Sequence, residues 1–81
     1  MIITKPLTIK QPEASKLLRE MRSHLGLTQE QLALHLGVTY STTNGWENKR
    51  GTPSPLAIQK IEQMLKQMGD RGQELLAQYT L

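Results

Sequence analysis

The side chains best placed to do chemistry in this chain lie in one short stretch, TQEQLALHLGVTYSTTNGWE, from Thr28 to Glu47. Tyr40, Ser41, Asn44 and Gly45 share one face of a helical segment, and Thr43 and Trp46, at i, i+3, share the other. Asparagine carries a donor and an acceptor on one planar amide, the pair that matches N6 and N7 of adenine in a major groove. Tyrosine can stack on a sugar, touch a thymine methyl or bond a phosphate. Serine reads bases ambiguously, and a glycine at position 45 lets the helix sit close. Gln29 opens the preceding helix, where free backbone N–H groups and the positive end of the helix dipole suit a phosphate oxygen. After the stretch, Asn48, Lys49, Arg50 and Thr52 form a polar, basic loop. Such residues bond phosphates and set register without reading sequence.

Other chemistries find less support. His24 and His35 stand eleven residues apart across a turn, which matches no tight metal-ligand spacing, and neither has an acidic residue at i+4. They read as exposed helix-surface histidines. No nucleophile–base set, glycine-rich phosphate loop or paired carboxylates is present, so the chain is not expected to be an enzyme, and no cofactor is implied. Lys16, Arg19 and Arg22, at i, i+3, i+6, drift around their helix and need not form one patch.

Short helices must hold these groups. Thr28 is an N-cap, and Gln31 three residues on can complete a capping box. Leu32, Ala33 and Leu36 then share one face, and Gly37 closes the helix where a left-handed residue is wanted. Thr39 caps the next helix. Upstream, residues 13–25 follow Pro12 directly, with Leu17, Leu18, Met21 and Leu25 as the buried stripe, and Gly26 ends them. Downstream, Ser54-Pro55 is a cap followed by proline at the first helical position. The fourth helix runs to about Met68, with Ile58, Ile61, Met64 or Leu65, and Met68 on one face. Gly69 stops it. Asp70 with Gln73, then Leu75, Leu76 and Tyr79, predict a short fifth helix.

Residues 1–12 are expected not to be helical. Pro6 and Pro12 bracket a stretch in which Ile3, Leu7 and Ile9 share a face if the chain is extended. This end reads either as a frayed tail or as an arm against the core or a second subunit. The expected organisation is therefore 1–12 as an extended arm or tail, 13–68 as the binding domain, and 69–81 as a short helix or tail.

Beyond these local features, the residues resemble the lambda-repressor-like helix-turn-helix family, also called Cro/CI or XRE. The likeness runs from about Leu17 to Leu65: LLREMRSHLGLTQEQLALHLGV, then WENKRGTPSPLAIQKIEQML. Gln29, Ala33, Gly37, Trp46-Glu47-Asn48 and Pro53-Ser54 carry it together. It implies an all-α fold of four to five short helices with a central helix-turn-helix. It implies a small residue at Ala33 where a second helix crosses, and burial at positions 43 and 46. Thr43 stands where the family prefers a branched aliphatic, and Lys49 where it often has glycine. The resemblance implies a backbone contact with DNA at Gln29 and a structural pairing of Arg22 with Glu47. The candidate DNA-contacting set is thus Gln29, Thr39, Tyr40, Ser41, Asn44, Gly45, Asn48, Lys49 and Arg50. The candidate structural set is Arg22, Glu47, Ala33, Gly37 and Trp46.

Composition narrows the remainder. The chain has 81 residues, 37% apolar, with Tyr40, Trp46 and Tyr79 as its only aromatics and a net charge of +3. That is one small domain with a Leu/Ile/Met core, so modest stability or help from dimerisation is expected. Without cysteine, disulfides and cysteine-ligated zinc are excluded, which fits a cytoplasmic protein. Apolar runs fall far short of the ~18 residues of a membrane span, and no signal-peptide core is visible. The leading expectation is a transcriptional repressor binding double-stranded DNA as a homodimer on a near-palindromic operator, its half-sites about one helical turn apart. Two alternatives stay open on the same fold. One is an antitoxin that also masks a toxin protein, suggested by the Ile- and Leu-rich ends. The other is an interaction module that lost DNA binding, suggested by Gly45 and Thr43.

Overall fold

A computed structural model describes residues 13–79, and within them every element is helical. Five helices follow one another: α1 Glu13–Leu25, α2 Gln29–Leu36, α3 Tyr40–Glu47, α4 Pro55–Gln67 and α5 Asp70–Tyr79. The expectations for Ile3, Leu7 and Ile9 fall on residues outside this range.

Local chemistry sets most helix ends. The Gln31 N–H donates to Thr28 Oγ1 at 3.1 Å, and the Thr28 N–H donates to Gln31 Oε1 at 2.9 Å, a reciprocal capping box. Gly37, at φ 70°, closes α2, and the Val38 N–H reaches back to the Ala33 carbonyl. Lys60 adds a further cap, donating from Nζ to the Leu36 carbonyl at 3.2 Å. Thr39 and Ser54 cap α3 and α4 by accepting from Thr42 and Ala57 N–H groups.

Leu17, Leu18 and Met21 of α1, Leu32 and Leu36 of α2, Trp46 of α3 and Ile61 and Leu65 of α4 meet in one core. Ala33 is buried with them, small enough for α3 to cross closely. Ile58, Met64 and Met68 pack from its margin. Leu25 departs from expectation, because it is 40% exposed. It is the last residue of α1, and the chain turns there so that Leu27 packs against the core instead.

The fifth helix belongs to the same core. Leu75 and Tyr79 are buried within it and Leu76 packs on its edge. Gly72 sits so close to α4 that a Cβ there would lie 1.7 Å from the Leu65 carbonyl oxygen. At the far end, burial and the nearby Glu20 carboxylate push the Tyr79 phenol above its usual range. The apolar residues of 69–79 thus complete a core and are not left over as a free tail.

Candidate nucleic-acid interface

The placement of α3 rests on its packing against α1 and α2. Thr43, Trp46 and Glu47 bury its inner face. Trp46 supplies the apolar anchor, while Glu47 supplies a polar one. The Glu47 side chain is 1% exposed, and a buried carboxylate needs partners for every lone pair it keeps. Arg22 donates to it twice, from Nε to Oε2 at 2.8 Å and from Nη2 to Oε1 at 2.7 Å. This two-pronged fork is the geometry that guanidinium and carboxylate share best. It holds the Arg22 pKa above its ordinary value, chiefly through the hydrogen bonds to Glu47. Gln29 adds a third donor, Nε2 to Oε1 at 3.2 Å.

The backbone of the same residue is held as well. Ser15 donates from Oγ and Arg19 from Nη2 to the Glu47 carbonyl, at 2.5 and 2.9 Å. A carbonyl in the last turn of a helix lacks an intrahelical partner, so α1 satisfies one that α3 cannot. Ser15, Arg19 and Arg22 are spaced i, i+4, i+7, and that spacing is the signal that could have picked out Ser15. The i, i+3, i+6 series with Lys16 obscured it.

The other end of α3 is open. Tyr40 and Ser41 are exposed in its first turn. The Thr39 hydroxyl is committed to capping, since it accepts from the Thr42 N–H and lies 2.9 Å from Thr42 Oγ1. Gly45 is half-buried, and a Cβ there would be 4.0 Å from the Arg50 Cβ, so space alone does not demand glycine.

Asn44 differs from the free outward side chain expected from sequence. It is half-buried, its Nδ2 donates to Gln29 Oε1 at 3.0 Å, and its Oδ1 accepts from Asn48 Nδ2 at 3.1 Å. Gln29 differs too, because its side chain turns inward to Glu47 and Asn44 instead of standing free at the start of α2. The cause is proximity across the helix-turn-helix, which i, i+3 patterns along one helix do not encode.

Beyond α3, Asn48, Lys49 and Arg50 are exposed. Lys49 has φ 62°, a left-handed conformation that normally favours glycine. The Arg50 N–H donates to the Gly45 carbonyl at 2.8 Å and the Lys49 N–H to that of Trp46 at 3.2 Å. That pair of bonds is the Schellman ending. The helix therefore ends as a glycine would end it, with a lysine in the glycine's place. Lys16, Arg19 and Lys49 line one open groove with Glu13 and Glu20, so two cations of α1 lie beside the loop.

His24 is exposed and accepts from Arg71 Nε at 2.5 Å, tying α1 to α5. Among the described residues no cluster of His, Asp and Glu could hold a metal ion, and no helix is long and apolar enough to cross a membrane. What remains is the α2–α3 pair, with Tyr40 and Ser41 exposed at the start of α3, the linked amides of Gln29, Asn44 and Asn48, and Lys49 and Arg50 exposed beyond it.

A family model described as helix-turn-helix matches residues 18–67. Over 50 residues the chain is 46% identical to an uncharacterized HTH-type transcriptional regulator, RghRB, of Bacillus subtilis (strain 168), covering 60% of this chain and 36% of that one. Over 49 residues it is 45% identical to an uncharacterized HTH-type transcriptional regulator of Methanothermobacter thermautotrophicus, covering 60% and 71%. The similarity thus spans little more than a third of the Bacillus relative. No solved structure matches the chain significantly.

Proposed function

We propose that this chain, which belongs to the helix-turn-helix family, is a sequence-specific repressor that occupies its operator as a dimer. Its DNA-binding, transcription-regulating character goes with that membership and with the relatives named as transcriptional regulators. The observation that best supports specificity is the buried Glu47 hub. It ties α3 to α1 by side chain and by backbone, leaving Tyr40, Ser41 and the remaining valences of Asn44 on a helix anchored at its far end. Base edges are read by groups held within tenths of an ångström, and a rigid platform supplies that.

In this reading Tyr40, Ser41 and Asn44 meet base edges, while the backbone at Gln29 and residues Thr39, Asn48, Lys49 and Arg50 border the phosphates and Gly45 permits close approach. One short helix offers few base contacts, so two copies on two half-sites are needed to lift specific binding above bulk binding. Leu34 and Leu56, 81% and 62% exposed, are apolar side chains available to a second copy.

The antitoxin reading keeps less motive. Leu75, Leu76 and Tyr79 are engaged in the chain's own core, so it rests on the N-terminal residues alone. The deciding experiment is a competition titration by fluorescence anisotropy, with a selected duplex against bulk DNA at fixed salt. The repressor reading expects a preference of about a thousandfold or more. Equal binding to both would contradict the repressor reading, and no binding to either duplex would leave an interaction module.

A further inference from the structure

The polar groups around Glu47 form a chain with a direction. Arg22 and Gln29 donate to Glu47, Asn44 donates to Gln29, and Asn48 donates to Asn44. The two ends of an amide have nearly the same shape, so only their partners decide which end faces which way. A carboxylate in a salt bridge can only accept. Gln29 must therefore turn its Nε2 to Glu47, which leaves its Oε1 for Asn44. Asn44 must answer with Nδ2, which places Oδ1 toward Asn48. Each step follows from the one before, starting at the Arg22–Glu47 pair.

We infer that Glu47, acting through Gln29, sets the amide orientation of Asn44 and so decides which base edge α3 accepts. This rests on the DNA-reading role proposed above. Asn44 has two N–H bonds and two lone pairs on Oδ1. Gln29 takes one N–H and Asn48 one lone pair, and one of each remains. A donor beside an acceptor in fixed order complements N7 and N6 of adenine, whereas guanine offers two acceptors there. An amide free to turn over would present the order both ways and discriminate less. Gln29 and Glu47 are thus positioning residues for a base contact that neither makes. The phosphate role expected of the Gln29 side chain gives way to this one.

Two measurements test it, one without DNA. In the wild-type chain the Asn44 side-chain amide protons, followed by NMR, should exchange with solvent more slowly than a free asparagine amide. In Gln29→Met they should approach the free rate. The second uses the selected duplex and the same duplex with 7-deazaadenine at the position Asn44 reads. The wild type should lose about 5- to 150-fold in affinity on that change. Gln29→Met should lose less than about threefold on the same change, and Glu47→Gln, which admits either orientation of Gln29, should behave alike. Equal Asn44 exchange in wild type and Gln29→Met overturns the inference while leaving the DNA-reading role standing. So does full 7-deazaadenine discrimination in Gln29→Met. If Asn44→Ala leaves wild-type discrimination unchanged at every position, the DNA-reading role falls and the inference with it.

Discussion

Lys49 stands where conformation and charge pull in opposite directions, and the substitution Lys49→Gly separates them. At φ 62° the residue holds the left-handed conformation that closes α3. A side chain there costs about 1 kcal/mol relative to the right-handed region. Glycine removes that strain, but its freer unfolded chain returns roughly half a kcal/mol or more. The net gain should be about 0.5 kcal/mol, and a domain this small then gains about 2–4 °C in melting temperature. The charge acts the other way. If Lys49 neutralises one phosphate, its loss should flatten the log–log salt dependence of binding by about 0.9. Thermal unfolding by circular dichroism and anisotropy titrations across a salt series measure the two effects separately. Lys49→Ala is the control, because it removes the charge and keeps a side chain at positive φ, so it should flatten the slope without raising the melting temperature. A lower melting temperature for Lys49→Gly would refute the strain argument. An unchanged slope in both variants would refute the phosphate contact.

Three further substitutions test the scaffold. Glu47→Ala should destabilise by about 2–4 kcal/mol, toward the low end for a buried pair because the Arg22 side chain stays 24% exposed, and an unchanged melting temperature would contradict it. Gly72→Ala sets helix propensity against packing: alanine gains about 1 kcal/mol within α5, but its Cβ meets the Leu65 backbone, and overpacking costs about 1–3 kcal/mol or more. The melting temperature should fall, and a rise would mean that α5 does not pack there. Thr43→Val should stabilise by about 1 kcal/mol, because Thr43 Oγ1 is buried without a hydrogen-bond partner among the described residues and valine keeps the shape; a loss in chemical denaturation would show that the hydroxyl is satisfied.

How much of this could be read from the sequence depends on the distance over which each feature is encoded. The caps at Thr28, Thr39 and Ser54 and the turn at Gly37 involve groups within about five residues, and their residue types state them directly. The α1, α2 and α4 stripes follow from helical periodicity, except at Leu25, where a helix end leaves Leu27, partly buried, to pack against the core instead. The hub at Glu47 is different in kind. Its partners Ser15, Arg19, Arg22 and Gln29 come from other helices, 18 to 32 residues away. Only the family resemblance pointed to Arg22 among them. Asn44 was legible as a residue able to read bases, but the bonds to Gln29 and Asn48 that orient it depend on how α2 crosses α3. The fate of Leu75 and Tyr79 turned on Gly72, whose missing side chain lets α5 lie against α4.

In the proposed function, α3 reads DNA sequence through Asn44 and its neighbours. Selection of bound duplexes from random DNA at fixed salt, run in parallel with wild type and Asn44→Ala, tests it most directly. Two enriched half-sites with centres roughly 10 base pairs apart are expected. Asn44→Ala should cost about 1–3 kcal/mol on the best site and relax preference at one symmetric pair of positions. Failure of the wild type to enrich any motif, with Asn44→Ala binding bulk DNA equally well, would contradict this function.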